Sequence, residues 1–264
     1  MDRNIDFYNE LKELIVKYVL EIESSEIDKM YDYWELNKDK KEISNFKFPD
    51  TLIHINQGIP SIGATLKGID LPTWFGNYSK KKVMILGIDP LRNEKVFERE
   101  CAKENNQVIV VTTDVLNDSI KNDVIIGTPY ALHEFKAREG SCAVYWNFIK
   151  WLSENHFVYC TDIFKTYYYN TDTNKRSYRD IDFPKLENHK ELLTLEINLI
   201  KPDVIIAFGN LVEKLLNDLK LSTNIIKLPH PSGANRKWNK IITGEDKRKQ
   251  KVEHLKSLII NKLI

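Results

Sequence analysis

Asp89, Asp162, Asn210 and His230 each stand where an apolar run of the chain ends. A carboxylate and an imidazole form a small set able to move a proton or to hold charge at a reacting centre. The runs are KKKVMILGIDP, with Val83 to Ile88 almost unbroken, HFVYCTD at 156–162, PDVIIAFGN at 202–210 and NIIKLPHP at 224–231. In open parallel α/β sheets ligands bind beyond the carboxyl ends of the strands, so residues that end parallel neighbours converge on one rim. A strand-end Asp equally suits the N-cap of a helix, and spacing alone leaves catalysis and capping as alternatives.

Runs of this kind fit strands buried on both faces of a sheet. Between them lie helical patterns: Tyr145, Phe148, Ile149 and Leu152, then Leu193, Ile197 and Ile200, then Leu211, Leu215, Leu216 and Leu219. Strands alternating with helices predict crossover units and a parallel sheet covered on both sides. QVIVVTTDV and DVIIG, around 107–127, read as a further strand pair or an insertion. At the start, Ile5, Tyr8, Leu11, Ile15, Tyr18, Val19 and Ile22 have amphipathic helical spacing, and 247–263 predicts a packed terminal helix. Gly58, Pro60, Gly63, Gly68, Pro72 and Gly76 make 37–82 read as a loop-rich excursion. The expected organisation is an extension over 1–80 docked on an α/β domain over 81–264.

A chain of 264 residues with 42% hydrophobic and 29% charged residues can bury a sizeable core, which excludes a disordered chain and a small stapled scaffold. No apolar run is long enough to span a membrane, and MDRNIDFYNE lacks signal-peptide character, so a cytoplasmic protein with no membrane partner is expected. Cys101, Cys142 and Cys160 have no CxxC spacing, against a disulfide framework or a four-thiolate metal site. GIDPLRNE fits neither GxGxxG nor a P-loop, the six histidines show no HExxH, and no GxSxG is present. Charge is uneven: residues 1–50 hold 13 acids against 8 bases, whereas 227–264 hold 10 bases against 3 acids. The cationic end is a candidate phosphate-facing surface or a solvated helix face.

GIDP at 87–90, GTPY at 127–130, VYCTDIFK at 158–165, IKPDVIIAFGN at 200–210 and LPHPSGANR at 228–236 resemble, in order and spacing, the motifs of the uracil-DNA glycosylase superfamily. The resemblance covers about 85–240. It implies a three-layer α/β/α sandwich around a four-stranded parallel sheet, and hydrolysis of the N-glycosidic bond of a base flipped out of DNA, without cofactor or metal. Asp89 matches the carboxylate that positions water and stabilises the sugar cation, and His230 the histidine that stabilises the departing base. Ile88, Tyr130 and Asp162 match base-binding positions, with Tyr130 the aromatic that stacks on the base. Ser232, Gly233, Ala234, Asn235, Arg236 and Lys237 match the segment that faces the DNA backbone and the vacated stack.

Three departures from the family pattern matter. Asp162 stands where an Asn commonly reads the uracil edge. Ala234 replaces a bulky wedge, leaving that task to Arg236, Trp238 or another loop. Cysteines placed for an iron-sulfur cluster are missing, so none is expected. The run KTYYYNTDTNKRSYR at 165–179, with Tyr167, Tyr168, Tyr169, Lys175, Arg176 and Arg179, reads as a DNA grip or as a surface loop anchored by its tyrosines. The expected protein is a monomeric DNA glycosylase acting on double- or single-stranded DNA, for a modified or damaged pyrimidine, with a role in repair or in defence against foreign DNA as alternatives. The alternatives are a uracil-DNA glycosylase proper and a non-catalytic module that binds DNA or a base.

Overall fold

The computed structural model describes residues 6–19, 23–40, 65–88, 110–112, 123–140, 142–170, 175–176, 186–219, 221–231, 238–242 and 246–263. Strand β3 (Lys82–Gly87) lies in the middle of a sheet between β9 (Val204–Phe208) and β6 (Phe157–Asp162), with β10 (Asn224–Leu228) outside β9. These four strands are mutually parallel. They are the four apolar runs of the sequence.

Along β3, β6 and β9 alternate side chains enter opposite cores, which is why the runs are apolar throughout. Val83, Ile85, Val158, Cys160, Ile206 and Phe208 pack beneath α4 (Ala143–Ser153), α7 (Trp238–Ile241) and α8 (Lys247–Ile259). Met84, Leu86, Phe157, Tyr159, Ile205 and Ala207 pack on the other face beneath α1 (Tyr8–Tyr18), α2 (Ser24–Asn37), α5 (Leu186–Ile200) and α6 (Asn210–Asp218). The result is the expected three-layer sandwich. At one outer edge β10 buries only Ile226 and Leu228 and leaves Lys227 exposed, a charged residue of the kind that discourages further strand pairing.

Strand pairing differs from expectation in two places. β2 (Thr73–Phe75) adds an antiparallel fifth strand beside β6, through Thr73 to Cys160 and Phe75 to Val158. A second five-stranded sheet has the order β4 (Val110–Thr112), β5 (Asp123–Gly127), β1 (Thr65–Asp70), β7 (Thr166–Asn170) and β8 (Lys175–Arg176). Residues 65–70 and 73–75, expected as loop, are therefore strands. β1 is held on both sides, parallel to β5 and antiparallel to β7. The tyrosine run 167–169 lies in β7, paired with β1, with Tyr167 buried in the interior.

The N-terminal helices are fastened by aromatic rings. Phe7 meets Trp74 edge-on at 5.3 Å, Trp74 stacks on Tyr159 at 6.5 Å, and Tyr31 donates from its hydroxyl to the Pro72 carbonyl at 2.6 Å. α1, α2 and β2 thereby share one core with the parallel sheet. Among the described residues no helix is long and apolar enough to cross a membrane.

Candidate active site

Gly87 and Asp162 end the adjacent strands β3 and β6 in register. Asp162 is 2% exposed, and its carboxylate lies over Gly87. A Cβ on Gly87 would fall 2.0 Å from Asp162 Oδ1 and 2.8 Å from the Tyr130 hydroxyl. Only glycine leaves room there for both groups, so position 87 is the floor on which a carboxylate acceptor and a phenol converge.

Tyr130 arrives on a 3-10 turn, Pro129–Ala131, with φ 59° and ψ 21°, and Ala131 follows at φ 51°. Two consecutive left-handed residues other than glycine cost on the order of 1–2 kcal/mol each. Local bonds hold the turn: the His133 backbone N–H donates to Thr128 Oγ1 at 3.2 Å, and that hydroxyl lies 3.0 Å from His133 Nδ1. The Tyr130 ring also stacks on Tyr145 of α4, with centroids 3.4 Å apart and planes at 24°. The strain is held in place by these local bonds and by the ring stacking.

His230 follows β10 and completes the group, its ring 6.1 Å from that of Tyr130 and 5.9 Å from that of Tyr145. Its Cβ is 4.0 Å from where a Cβ on Gly209 would stand, just past the end of β9. The carbonyl of His230 accepts from the Trp238 indole at 2.8 Å, while Trp238 is buried in the core. Trp238 therefore anchors the His230 segment and does not serve as a wedge in the DNA stack.

Burial sets the protonation of these groups. It lowers the His230 pKa below the ordinary imidazole value, which favours the neutral ring at pH 7. It raises both tyrosines well above the ordinary phenol value, with the Asp162 charge adding to the effect on Tyr130, so both hydroxyls keep their protons. Burial likewise raises the Cys160 thiol, leaving it protonated and unreactive. The rim thus offers one carboxylate acceptor, phenol donors and a neutral imidazole.

The lowered pKa of His230 has a signed consequence for stability. The unfolded chain binds this proton more readily than the folded one, so the contribution is full above the ordinary imidazole pKa and is lost as pH falls toward the folded value. Thermal unfolding of wild type and His230→Gln should show wild type losing stability relative to the variant between pH 7 and pH 5. A constant difference over that range would contradict burial of the ring.

Tyr130, Asp162 and His230, singled out in the sequence, meet at this rim. Ile88 is half-buried against the core on the α1, α2, α5 and α6 side, and its carbonyl accepts from the Phe164 N–H at 3.0 Å. Asn210 opens α6 and is exposed, one residue past the Gly209 that lies near His230. Asp89, Ser232, Gly233, Ala234, Asn235, Arg236 and Lys237 lie outside the described residues, as does Cys101. In the sequence Tyr145 reads only as part of a buried helix face. Its signal was a hydroxyl-bearing ring at a core position, where a polar atom calls for a reason.

Among the described residues no group of three or more His, Cys, Asp or Glu side chains is arranged to hold a metal ion. No curated protein matches the chain. The family model of the uracil DNA glycosylase superfamily matches residues 73–258, from β2 into α8 and across Tyr130, Asp162 and His230, and the chain belongs to that superfamily of DNA glycosylases.

Proposed function

We propose that this protein hydrolyses the N-glycosidic bond of a flipped-out pyrimidine carrying an exocyclic amino group, a modified cytosine before plain cytosine. The observation that carries this reading is the Asp162 carboxylate over Gly87, an acceptor where uracil recognition needs a donor and an acceptor together. An ionised Asp facing uracil O4 has no proton to share, whereas it accepts readily from a cytosine-type N4 amino group. Removal of unmodified cytosine would damage the host genome, which favours a modified base.

In the reaction the bond from C1′ to the base nitrogen breaks and a bond from C1′ to a water oxygen forms. Asp89 orients the water and stabilises the positive charge that grows on the sugar. Neutral His230 donates a hydrogen bond to the departing base, whose negative charge is afterwards quenched by a proton. Tyr130 supplies aromatic surface for the base, backed by the buried Tyr145 on which it stacks. Arg236, Lys237 and the exposed Lys247, Arg248 and Lys249 of α8 supply cationic contacts for the DNA phosphates, in a protein that works as a monomer without cofactor.

A second reading, uracil itself, has one observation in its favour. The protonated Tyr130 hydroxyl beside Asp162 can donate to O4 while Asp162 accepts from N3–H. Release of free bases from oligonucleotides carrying uracil, cytosine, 5-methylcytosine or 5-hydroxymethylcytosine, followed by mass spectrometry, separates the readings. Wild type should release an amino-bearing base faster than uracil, and Asp162→Asn should shift the preference toward uracil by about tenfold or more, the worth of one satisfied buried hydrogen bond. Efficient uracil release by wild type, unimproved in Asp162→Asn, refutes the amino-base reading. Absence of any base release would point to a binding module.

A further inference from the structure

Behind the rim lies a charged pair that none of these roles employs. Lys165 and Glu196 are 1% and 0% exposed, with Lys165 Nζ 2.5 Å from Glu196 Oε2. The other carboxylate oxygen of Glu196, on α5, accepts from the hydroxyls of Tyr159 at 2.8 Å and Thr161 at 3.2 Å, both on β6. The same ammonium donates to the backbone carbonyl of Asp162 at 2.5 Å. The pair therefore grips β6 at three residues, the last of which is the putting-in place of the rim carboxylate.

Stability is a weak reason for such an arrangement, because apolar residues of the same volume hold a core as well as a buried ion pair or better. Its geometry has a more specific effect. After Asp162 the chain makes a three-residue turn, Ile163 to Lys165, into β7, and Lys165 at its end closes it on the carbonyl of Asp162 just before it. The turn is held from the β3 side as well, since the Ile163 N–H donates to the Gly87 carbonyl at 3.2 Å and that of Phe164 to the Ile88 carbonyl at 3.0 Å. From the β1 side the Asp70 N–H donates to the Lys165 carbonyl at 2.9 Å. With the peptide after Asp162 fixed, the backbone from which its carboxylate projects over Gly87 has little freedom.

We propose that Lys165, charge-balanced by Glu196, is a positioning residue that aims the Asp162 carboxylate and thereby sets which base is released. This rests on Asp162 as the base reader. The variant that isolates the effect is Lys165→Met/Glu196→Gln: it removes both charges together, and the Gln oxygen can still accept from Tyr159 and Thr161. Single-turnover release is measured on the oligonucleotide carrying the best amino-bearing base and on the one carrying uracil, alongside affinity for undamaged duplex and thermal unfolding.

The expected result is a folded double variant with wild-type duplex affinity, whose rate ratio between the two bases falls at least tenfold toward unity. Asp162→Ala should flatten the same ratio. A wild-type ratio in the folded double variant, with the ratio flattened in Asp162→Ala, overturns the positioning role and leaves Asp162 as the reader. A ratio unchanged in both variants overturns the reader and the positioning role together. Should the double variant not fold, the same ratio is measured in Lys165→Leu/Glu196→Gln, which also removes both charges together and fills the Lys165 site with a shorter apolar side chain. A wild-type ratio in that folded variant, with the ratio flattened in Asp162→Ala, overturns the positioning role.

Discussion

Asp89→Asn is expected to lower single-turnover base release about 10²- to 10³-fold, the usual cost of removing one electrostatic group that acts in the transition state. The substitution keeps the size of the side chain and removes its charge, so duplex affinity and the unfolding temperature should stay at wild-type values. An interaction made only in the transition state appears as equal losses in kcat and kcat/KM, and this equality separates stabilisation of the sugar cation from ground-state binding. Rapid-quench measurement of base release at saturating enzyme provides the number. Full activity in folded Asp89→Asn would remove Asp89 from the mechanism and leave His230 and the tyrosines as the reacting surface.

Lys165→Met should be the most destabilising of the single changes considered, by about 3–5 kcal/mol, the range found when one partner of a buried ion pair is removed. Glu196 is fully buried and would retain a charge with only the two hydroxyls to solvate it. Urea unfolding should show the midpoint falling sharply in Lys165→Met and returning most of the way in Lys165→Met/Glu196→Gln, at an unchanged slope. A loss below about 1 kcal/mol in the single variant would mean that water reaches Glu196 and that the pair is not desolvated.

The parallel strands were legible because being buried on both faces forces an apolar residue at nearly every position. Val83–Leu86, Phe157–Cys160 and Val204–Phe208 need no context to be recognised, and the end of the second located Asp162, while His230 was located by the end of the half-exposed edge strand β10. Of the second sheet, the β4–β5 pair was legible in QVIVVTTDV and DVIIG, but the strands that extend it were not. β1 contains Gly68 and lies among glycines and prolines, and it is a strand because β5 and β7 pair with it on either side, a tertiary cause absent from local composition. The tyrosines of β7 have strong strand propensity, but their polar flanks resemble a loop. α2 escaped notice although Ile27, Met30, Tyr31 and Trp34 have helical spacing, because intervening charges mask the stripe. At the site, Tyr145 and the Lys165–Glu196 pair depend on which helix covers which face, and that follows only from the assembled layers.

The order of strands in the parallel sheet governs how the chain is made as well as how it holds together. β3 is synthesised first of the four, yet its neighbours arrive only when Val158 and Val204 have left the ribosome. Until then Val83–Leu86 has no parallel partner, and closing such long loops is slow because their entropy must be lost before any pairing returns it. The nascent chain thus carries an unpaired apolar segment from the end of β3 at Gly87 until β6, Phe157–Asp162, has been made. The aromatic residues of α1, α2 and β2, made before β6, share the core that covers Met84 and Leu86 in the folded protein, so one face of β3 has its covering residues in hand before its strand partners arrive.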